Sequence, residues 1–261
     1  MSLERANLFG FDFISSTDYD NLLWDLENGV HLEEEDLPIL ITPNVDQIVK
    51  YHKRENSNLR HQMTRAKYIL PDGQPLVWLS KFKANKLRAR LTGSDFFSLL
   101  WKHIISSAKR TSFVLSSKDV AAALKSEYSR ISHFVPTFYS VSNPQEHAII
   151  VDAVFTMVKE NQSQYLIIGL GFPKQEYLAL SLLERCKDED VKPPLMFLLG
   201  ASMEFYTRVK KRAPKIYQKM GLEFLHRIIS EPKRMVKRYL YDDLAFLPLA
   251  FKELISARSK K

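Results

Sequence analysis

The feature that most constrains this chain is an alternation that runs from residue 37 to residue 200. Short runs of β-branched and large apolar side chains are separated by longer stretches with helical texture. The β-like runs are Leu37-Pro38-Ile39-Leu40-Ile41, Tyr68-Ile69-Leu70, 111–115, a weaker one over 134–139, 164–168 and 195–199. Between them the sequence predicts helices after Asn44 to about Glu55, around Val77 and Trp78, from a Ser117 cap to about Tyr128, and from about Pro144 to Glu160. A further helix precedes the last run. Strands that alternate with helices imply an α/β fold with a mainly parallel sheet and helices on both faces. Three regions follow: a small N-terminal cap or edge element over 1–36, the α/β body over 37–200, and a basic helical appendage over 201–261.

Composition narrows the class. Hydrophobic residues at 45% and charged residues at 26% describe an ordinary globular chain and exclude a disordered or collagen-like one. Only eight glycines occur, so each is expected to serve a backbone purpose that other residues cannot. The single cysteine, Cys186, allows no internal disulfide and reads as a structural residue late in a helix. Met1-Ser2-Leu3-Glu4-Arg5 lacks the features of a secretory signal. The apolar run from Leu244 to Phe251 is interrupted by Pro248 and falls far short of the roughly 20 residues that span a bilayer. A cytoplasmic chain, soluble or peripheral to a membrane, is expected.

The net charge of +8 is unevenly spread. Between Phe205 and Leu240 there are eleven Lys and Arg against Glu223 and Glu231, while the remainder holds 27 basic and 28 acidic residues. The excess therefore belongs to one C-terminal block, which favours an anionic partner met by one surface. Arg227, Arg234 and Arg238 could share a helical face, and Leu222, Phe224, Ile228, Met235 and Val236 supply apolar surface between charges. Such a segment suits an anionic bilayer surface. No nucleic-acid reading module is visible, so no nucleic-acid partner is expected. A solvated face packed on the core is the plain alternative.

Ligands of open α/β sheets bind outside the carboxyl ends of the strands. Here those ends are Thr42-Pro43-Asn44, Asp72-Gly73, Ser116-Ser117, Gly169-Leu170-Gly171 and Gly200-Ala201-Ser202. Asp72 could hold a carboxylate at a pocket floor, as a general base requires, or serve an Asp-Gly turn. Thr42 and Asn44 could bond a sugar or base, or cap the following helix. The two glycines before Phe172-Pro173-Lys174-Gln175-Glu176 permit close backbone approach to a phosphate at a helix start, although Lys174 stands where a dinucleotide fingerprint has its third glycine. Asp18-Tyr19-Asp20 and Asp188-Glu189-Asp190 read as solvated loops away from the strand ends, and the histidines lack ligand spacing, so no metal site is expected.

Six segments, taken in order, resemble the WecG/TagA/CpsF family of bacterial glycosyltransferases. They are Thr42-Pro43-Asn44-Val45-Asp46, Asp72-Gly73-Gln74-Pro75, Arg90-Leu91-Thr92-Gly93-Ser94-Asp95, Gly169 to Glu176, Lys211-Arg212-Ala213-Pro214, and Gly221 to Arg227 with Glu231-Pro232-Lys233-Arg234. The resemblance implies a Rossmann-like enzyme that moves a sugar, with inversion, from a UDP donor to a polyprenyl-diphosphate-linked saccharide at the cytoplasmic membrane face. Surface polysaccharides are the products of such enzymes. By position it implies Asp72 as base, and Thr42, Asn44, Arg90, Gly171, Gln175 and Glu176 as substrate or donor residues. Arg212, Arg227, Arg234 and Arg238 would meet the acceptor diphosphate and the membrane. No cofactor or metal is implied, and a homo-oligomer is compatible.

The chain also departs from the family pattern. It has Ser116-Ser117-Lys118-Asp119 where a glycine-rich loop is usual, lacks the Gly-Tyr-Phe expected near Tyr139-Ser140, and carries Glu204 and Thr207 in place of an aspartate and a glycine. These changes touch the nucleotide side and motivate a rival reading: a non-catalytic paralogue that acts as a binding subunit of a polysaccharide assembly complex.

Overall fold

The computed structural model describes residues 3–210 and 245–258. Arg212, Arg227, Arg234 and Arg238, and most of the basic block, lie outside the described residues.

The body is a six-stranded sheet in the order β4-β3-β8-β7-β5-β6, with every pairing parallel. Its strands are β3 (Leu37–Ile41), β4 (Ala66–Ile69), β5 (Thr111–Val114), β6 (Ser132–Phe134), β7 (Tyr165–Ile168) and β8 (Leu195–Leu198). Central strands of a parallel sheet are covered on both sides and so read as continuous apolar runs. That is why β5, β7 and β8 are buried throughout.

Alternation along each strand divides the interior into two cores. Ile39, Ile41, Leu166, Ile168, Met196 and Leu198 face one side. On that side pack α2 (Val45–Tyr51), α3 (Ser57–Met63), α4 (Gln74–Ser80), α7 (Pro144–Glu160) and α8 (Lys174–Asp188). Leu40, Tyr165, Ile167, Leu195 and Phe197 face the other. They meet α1 (Asp20–Asn28), α5 (Gly93–Ser107), α6 (Lys118–Glu127) and α9 (Ser202–Tyr206). The expected α/β architecture with helices on both faces is the one observed.

The first 36 residues contribute to both cores. β1 (Arg5–Leu8) and β2 (Phe11–Ile14) form an antiparallel hairpin whose turn residues Phe9 and Gly10 both have positive φ. This is the backbone that a tight right-twisted hairpin needs. Ala6, Leu8, Phe11 and Phe13 are fully buried on the α2 side, while Leu22 and Leu26 of α1 enter the other core.

Two element boundaries and one whole helix differ from the sequence expectation. The helix expected to reach about Glu55 stops at Tyr51, and after a 3-10 turn over Arg54–Asn56 the separate α3 begins. The strand expected over 134–139 is β6, at Ser132–Phe134; Pro136 follows it, and Phe138 is 96% exposed, so the apolar run there does not mark a buried face. α5 stands where no helix was read. C-terminally, α10 (Phe246–Arg258) is helical, and Phe246 packs against Phe9 with ring centroids 5.5 Å apart. Glu253 of α10 is ion-paired with Lys83.

Candidate active site

The carboxyl ends of β4, β3, β8 and β7 are adjacent, because those four strands are neighbours in the sheet. With strands roughly 4.8 Å apart, the rim from Asp72 to the Gly169 loop is about 14 Å wide. Residues far apart in sequence therefore share one ledge.

At the β4 end, two bonds and a helix start fix Asp72. Its N–H donates to the Pro43 carbonyl at 3.1 Å, and its Oδ2 accepts the Gly93 N–H at 3.2 Å. Gly93 is the first residue of α5, which Thr92 caps by accepting the Asp95 N–H at 3.1 Å. A carboxylate at the start of a fifteen-residue helix meets the positive end of the helix dipole as well as a donor. Both hold the carboxylate in place at the rim.

Gly93 is also where three strands' loops converge. A Cβ there would lie 2.9 Å from Thr42 Oγ1 and 3.1 Å from Ser202 Oγ. Only a residue without a side chain lets the β3 and β8 ends approach α5 this closely. Thr42 is 8% exposed and Ser202 5%, so both hydroxyls sit at the floor of the ledge. Arg90 is half-buried in the same loop, one residue before Leu91, whose N–H donates to the Pro71 carbonyl at 3.0 Å. Asn44 serves as a cap: its Oδ1 accepts the Gln47 N–H at 3.1 Å in a reciprocal capping box. The cap does not use its amide nitrogen.

Tyr19 corrects the reading of 18–20 as remote from the strand ends. Its hydroxyl donates to the Thr92 carbonyl at 3.0 Å. Burial, followed by the charges of Asp95 and Asp72, pushes its pKa well above the ordinary phenol value. It is thus a neutral donor beside the Asp72 corner.

At the β7 end, Gly171 is exposed and a Cβ on it would meet nothing within 4 Å, which leaves open space above the start of α8. Lys174 opens α8, and its Nζ lies 4.6 Å from the ring centroids of both Phe138 and Tyr139. The loop that departs from the family pattern thus borders the two-glycine turn.

Gln175 and Glu176 lie beneath the rim, at 2% and 0% exposure. Gln175 Oε1 accepts the Gly200 N–H at 3.1 Å, and its Nε2 donates to Glu176 Oε1 at 3.0 Å. Tyr51 donates to the same Glu176 oxygen at 3.3 Å. Glu176 Oε2 is buried without a hydrogen-bond partner among the described residues. Burial raises its carboxyl to about 7, against the lowering effect of the Gln175, backbone and Tyr51 bonds and of Lys50.

The structure brings Thr42, Asn44, Asp72, Arg90 and Gly171 to one rim and sets Gln175 and Glu176 behind it. Sequence reasoning set Tyr19 aside in a solvated loop, and it named Gly93 and Ser202 only within a family-like segment and a strand end, without the approach between them. The Thr92-x-x-Asp95 spacing ahead of Phe96 and Phe97 is a helix-start signature that would have located the α5 corner. A separate depression of about 490 Å³ between α7 and α8 is lined by Asp152, Phe155, Arg185 and Glu189 and lies toward the other end of those helices. Arg185 spans it with ion pairs to Asp152 at 3.4 Å and Glu189 at 3.1 Å. Among the described residues, no three His, Cys, Asp or Glu gather as a metal site.

The family model described as Glycosyl transferase WecG/TagA/CpsF matches residues 6–260, nearly the whole chain. The chain belongs to the WecG/TagA/CpsF family of glycosyl transferases. Two curated relatives carry the same name, N-acetylglucosaminyldiphosphoundecaprenol N-acetyl-beta-D-mannosaminyltransferase. The one from Staphylococcus aureus (strain MW2) is 22% identical over 265 residues, covering 98% of this chain and 96% of the relative. The one from Bacillus spizizenii (strain W23) is 24% identical over 228 residues, covering 85% and 82%.

Proposed function

We propose that this chain transfers an N-acetylhexosamine from a UDP donor to a hydroxyl of a polyprenyl-diphosphate-linked saccharide, with inversion, at the cytoplasmic face of a membrane. The observation that carries the reading is the Asp72 carboxylate, bonded to the α5 start on the same ledge as Thr42 and the open Gly171 turn. The names of the two relatives support N-acetylmannosamine as the sugar and a diphosphoundecaprenol-linked N-acetylglucosamine as the acceptor.

In this mechanism Asp72 takes the proton of the attacking hydroxyl. The acceptor oxygen bonds to the sugar's anomeric carbon as the bond to the UDP oxygen breaks, and UDP departs with the electron pair. A single displacement inverts the anomeric centre. Thr42 and the Asn44 amide orient the sugar hydroxyls, and Arg90 answers charge beside the base. Gly171 lets the donor diphosphate approach the positive end of α8. Arg212, Arg227, Arg234 and Arg238 meet the acceptor diphosphate and anionic headgroups, a role for which their charge suits them. UDP-sugar is a substrate, and the scheme assigns no resident cofactor or metal. Among the described residues no helix is long and apolar enough to cross a membrane, which is compatible with a peripheral enzyme.

The test is a panel of UDP-sugars offered with a polyprenyl-diphosphate-N-acetylglucosamine analogue and read by mass spectrometry. A product heavier by one N-acetylhexosamine is expected with UDP-N-acetylmannosamine. No product from any donor, together with no UDP binding by calorimetry, would favour the non-catalytic binding subunit.

A further inference from the structure

A fully buried glutamate behind a rim of polar residues needs a reason. Glu176 cannot touch a ligand on the ledge without first being uncovered, since it has no exposed surface. Its contacts lead elsewhere. Glu176 Oε1 receives the Gln175 Nε2 at 3.0 Å, and Gln175 presents its other terminus, Oε1, to the Gly200 N–H at 3.1 Å. A carboxamide has one donor end and one acceptor end. An acceptor fixed at one end therefore dictates which end faces Gly200. With the amide reversed, an NH2 would oppose the Gly200 N–H, donor against donor, in a buried place.

Gly200 begins the turn that carries Ser202. Its φ is +52°, and Ser202 Oγ donates back to the Leu199 carbonyl at 2.7 Å. The same Ser202 Oγ faces Gly93 beside Thr42. We propose that Glu176 is a positioning residue: it sets the orientation of the Gln175 carboxamide, and through the Gly200 N–H it fixes the β8–α9 turn that brings Ser202 to Thr42 and the Asp72 corner. Tyr51, which donates to the same carboxylate oxygen at 3.3 Å, holds Glu176 from α2. One chain of hydrogen bonds thus links α2, α8 and the end of β8 beneath the ledge. The activity arm of the test rests on the function proposed above; the structural arm does not.

The sequence supplies a selective probe. Leu-Gly occurs only at 170–171 and 199–200. Full-length chain labelled with carbonyl-13C leucine and 15N glycine therefore gives two selected amide signals, Gly171 on the open side of the rim and Gly200 on the held side. Glu176→Gln keeps an acceptor for Gln175, whereas Glu176→Met removes it at similar volume. The Gly200 signal should stay in place in E176Q and move in E176M, with Gly171 little changed in both. In transfer assays with UDP-N-acetylmannosamine, E176M should lose about tenfold in kcat with the donor KM changed less than about threefold, and E176Q should recover most of the loss.

A second measurement serves if E176M does not fold. In the wild type, Gly200 should shift as Glu176 titrates near pH 7 while facing Tyr51 and Lys50 of α2, and that movement should be absent from E176Q. A Gly200 signal indifferent to E176M, or flat across this pH range in the wild type, overturns the proposal. If the wild type transfers no sugar at all, the functional reading fails while the Gly200 signals still decide the role of Glu176.

Discussion

To take a proton from a sugar hydroxyl, a carboxylate must be held still, and at Asp72 the Gly93 N–H does this. Asp72→Asn keeps an oxygen for Gly93 but can no longer accept the proton. Turnover should fall by at least about a hundredfold with the melting temperature close to wild type. Near-normal transfer would remove Asp72 from the mechanism. Glu176 makes a different prediction. Its folded-state pKa, about 7, lies above the reference value of 4.5, so between those values the folded chain keeps a proton that the unfolded chain has released. Its contribution to stability is fully present below pH 4.5 and is lost as pH rises through 7. Denaturant titrations of wild type and E176Q should show the variant gaining relative to wild type, by roughly 2–3 kcal/mol, between pH 5 and pH 8. A gain toward low pH would have the wrong sign. Much at this scale was legible: Asp72 before a glycine at a strand end and Gly171 before a helix stand out in the sequence. Tyr19 did not, because it reaches the ledge through a tertiary contact that no local spacing encodes.

Among the elements, α5 matters most and was the least legible. Its apolar residues Phe96, Phe97, Leu100, Trp101 and Ile104 build one of the two cores, and its first turn supplies the donor to Asp72. Thr92→Ala should cost about 1 kcal/mol through loss of the cap and should also lower transfer, because Gly93 moves with the turn. Asn143→Ala, which uncaps α7 by removing an acceptor for the Gln145 and Glu146 N–H groups, should cost a similar amount and leave transfer unchanged. Paired thermal melts and transfer assays check this, and equal activity losses would show that α5 is only a structural helix. The central strands read clearly because burial on both sides makes them uniformly apolar. β6, at the sheet edge, is half-buried throughout, so its composition carries little signal. α2 was overextended because apolar spacing alone does not register the turn at His52.

For the molecule as a whole, the sequence placed the charge well but left its setting open. The basic block accounts for the whole excess over neutrality, and charge reversal at Arg212, Arg227, Arg234 and Arg238 should abolish cosedimentation with anionic vesicles while sparing neutral ones. Retention on anionic vesicles by the fourfold variant would refute the membrane role. The hairpin was not foreseen. Its strands are only four residues each, with two buried in β1 and three in β2, and its turn depends on positive φ at Phe9 as well as at Gly10. That hairpin sets how the other end of the chain must be studied. Beyond the basic block, Phe246 of α10 packs on Phe9 at the hairpin turn. Glu253 holds α10 a second time through its ion pair with Lys83. Truncation after Gly200 would remove that packing too, since it takes Phe246 out of the core together with the charges. Neutralising the four arginines while keeping α10 separates the loss of cations from the loss of packing.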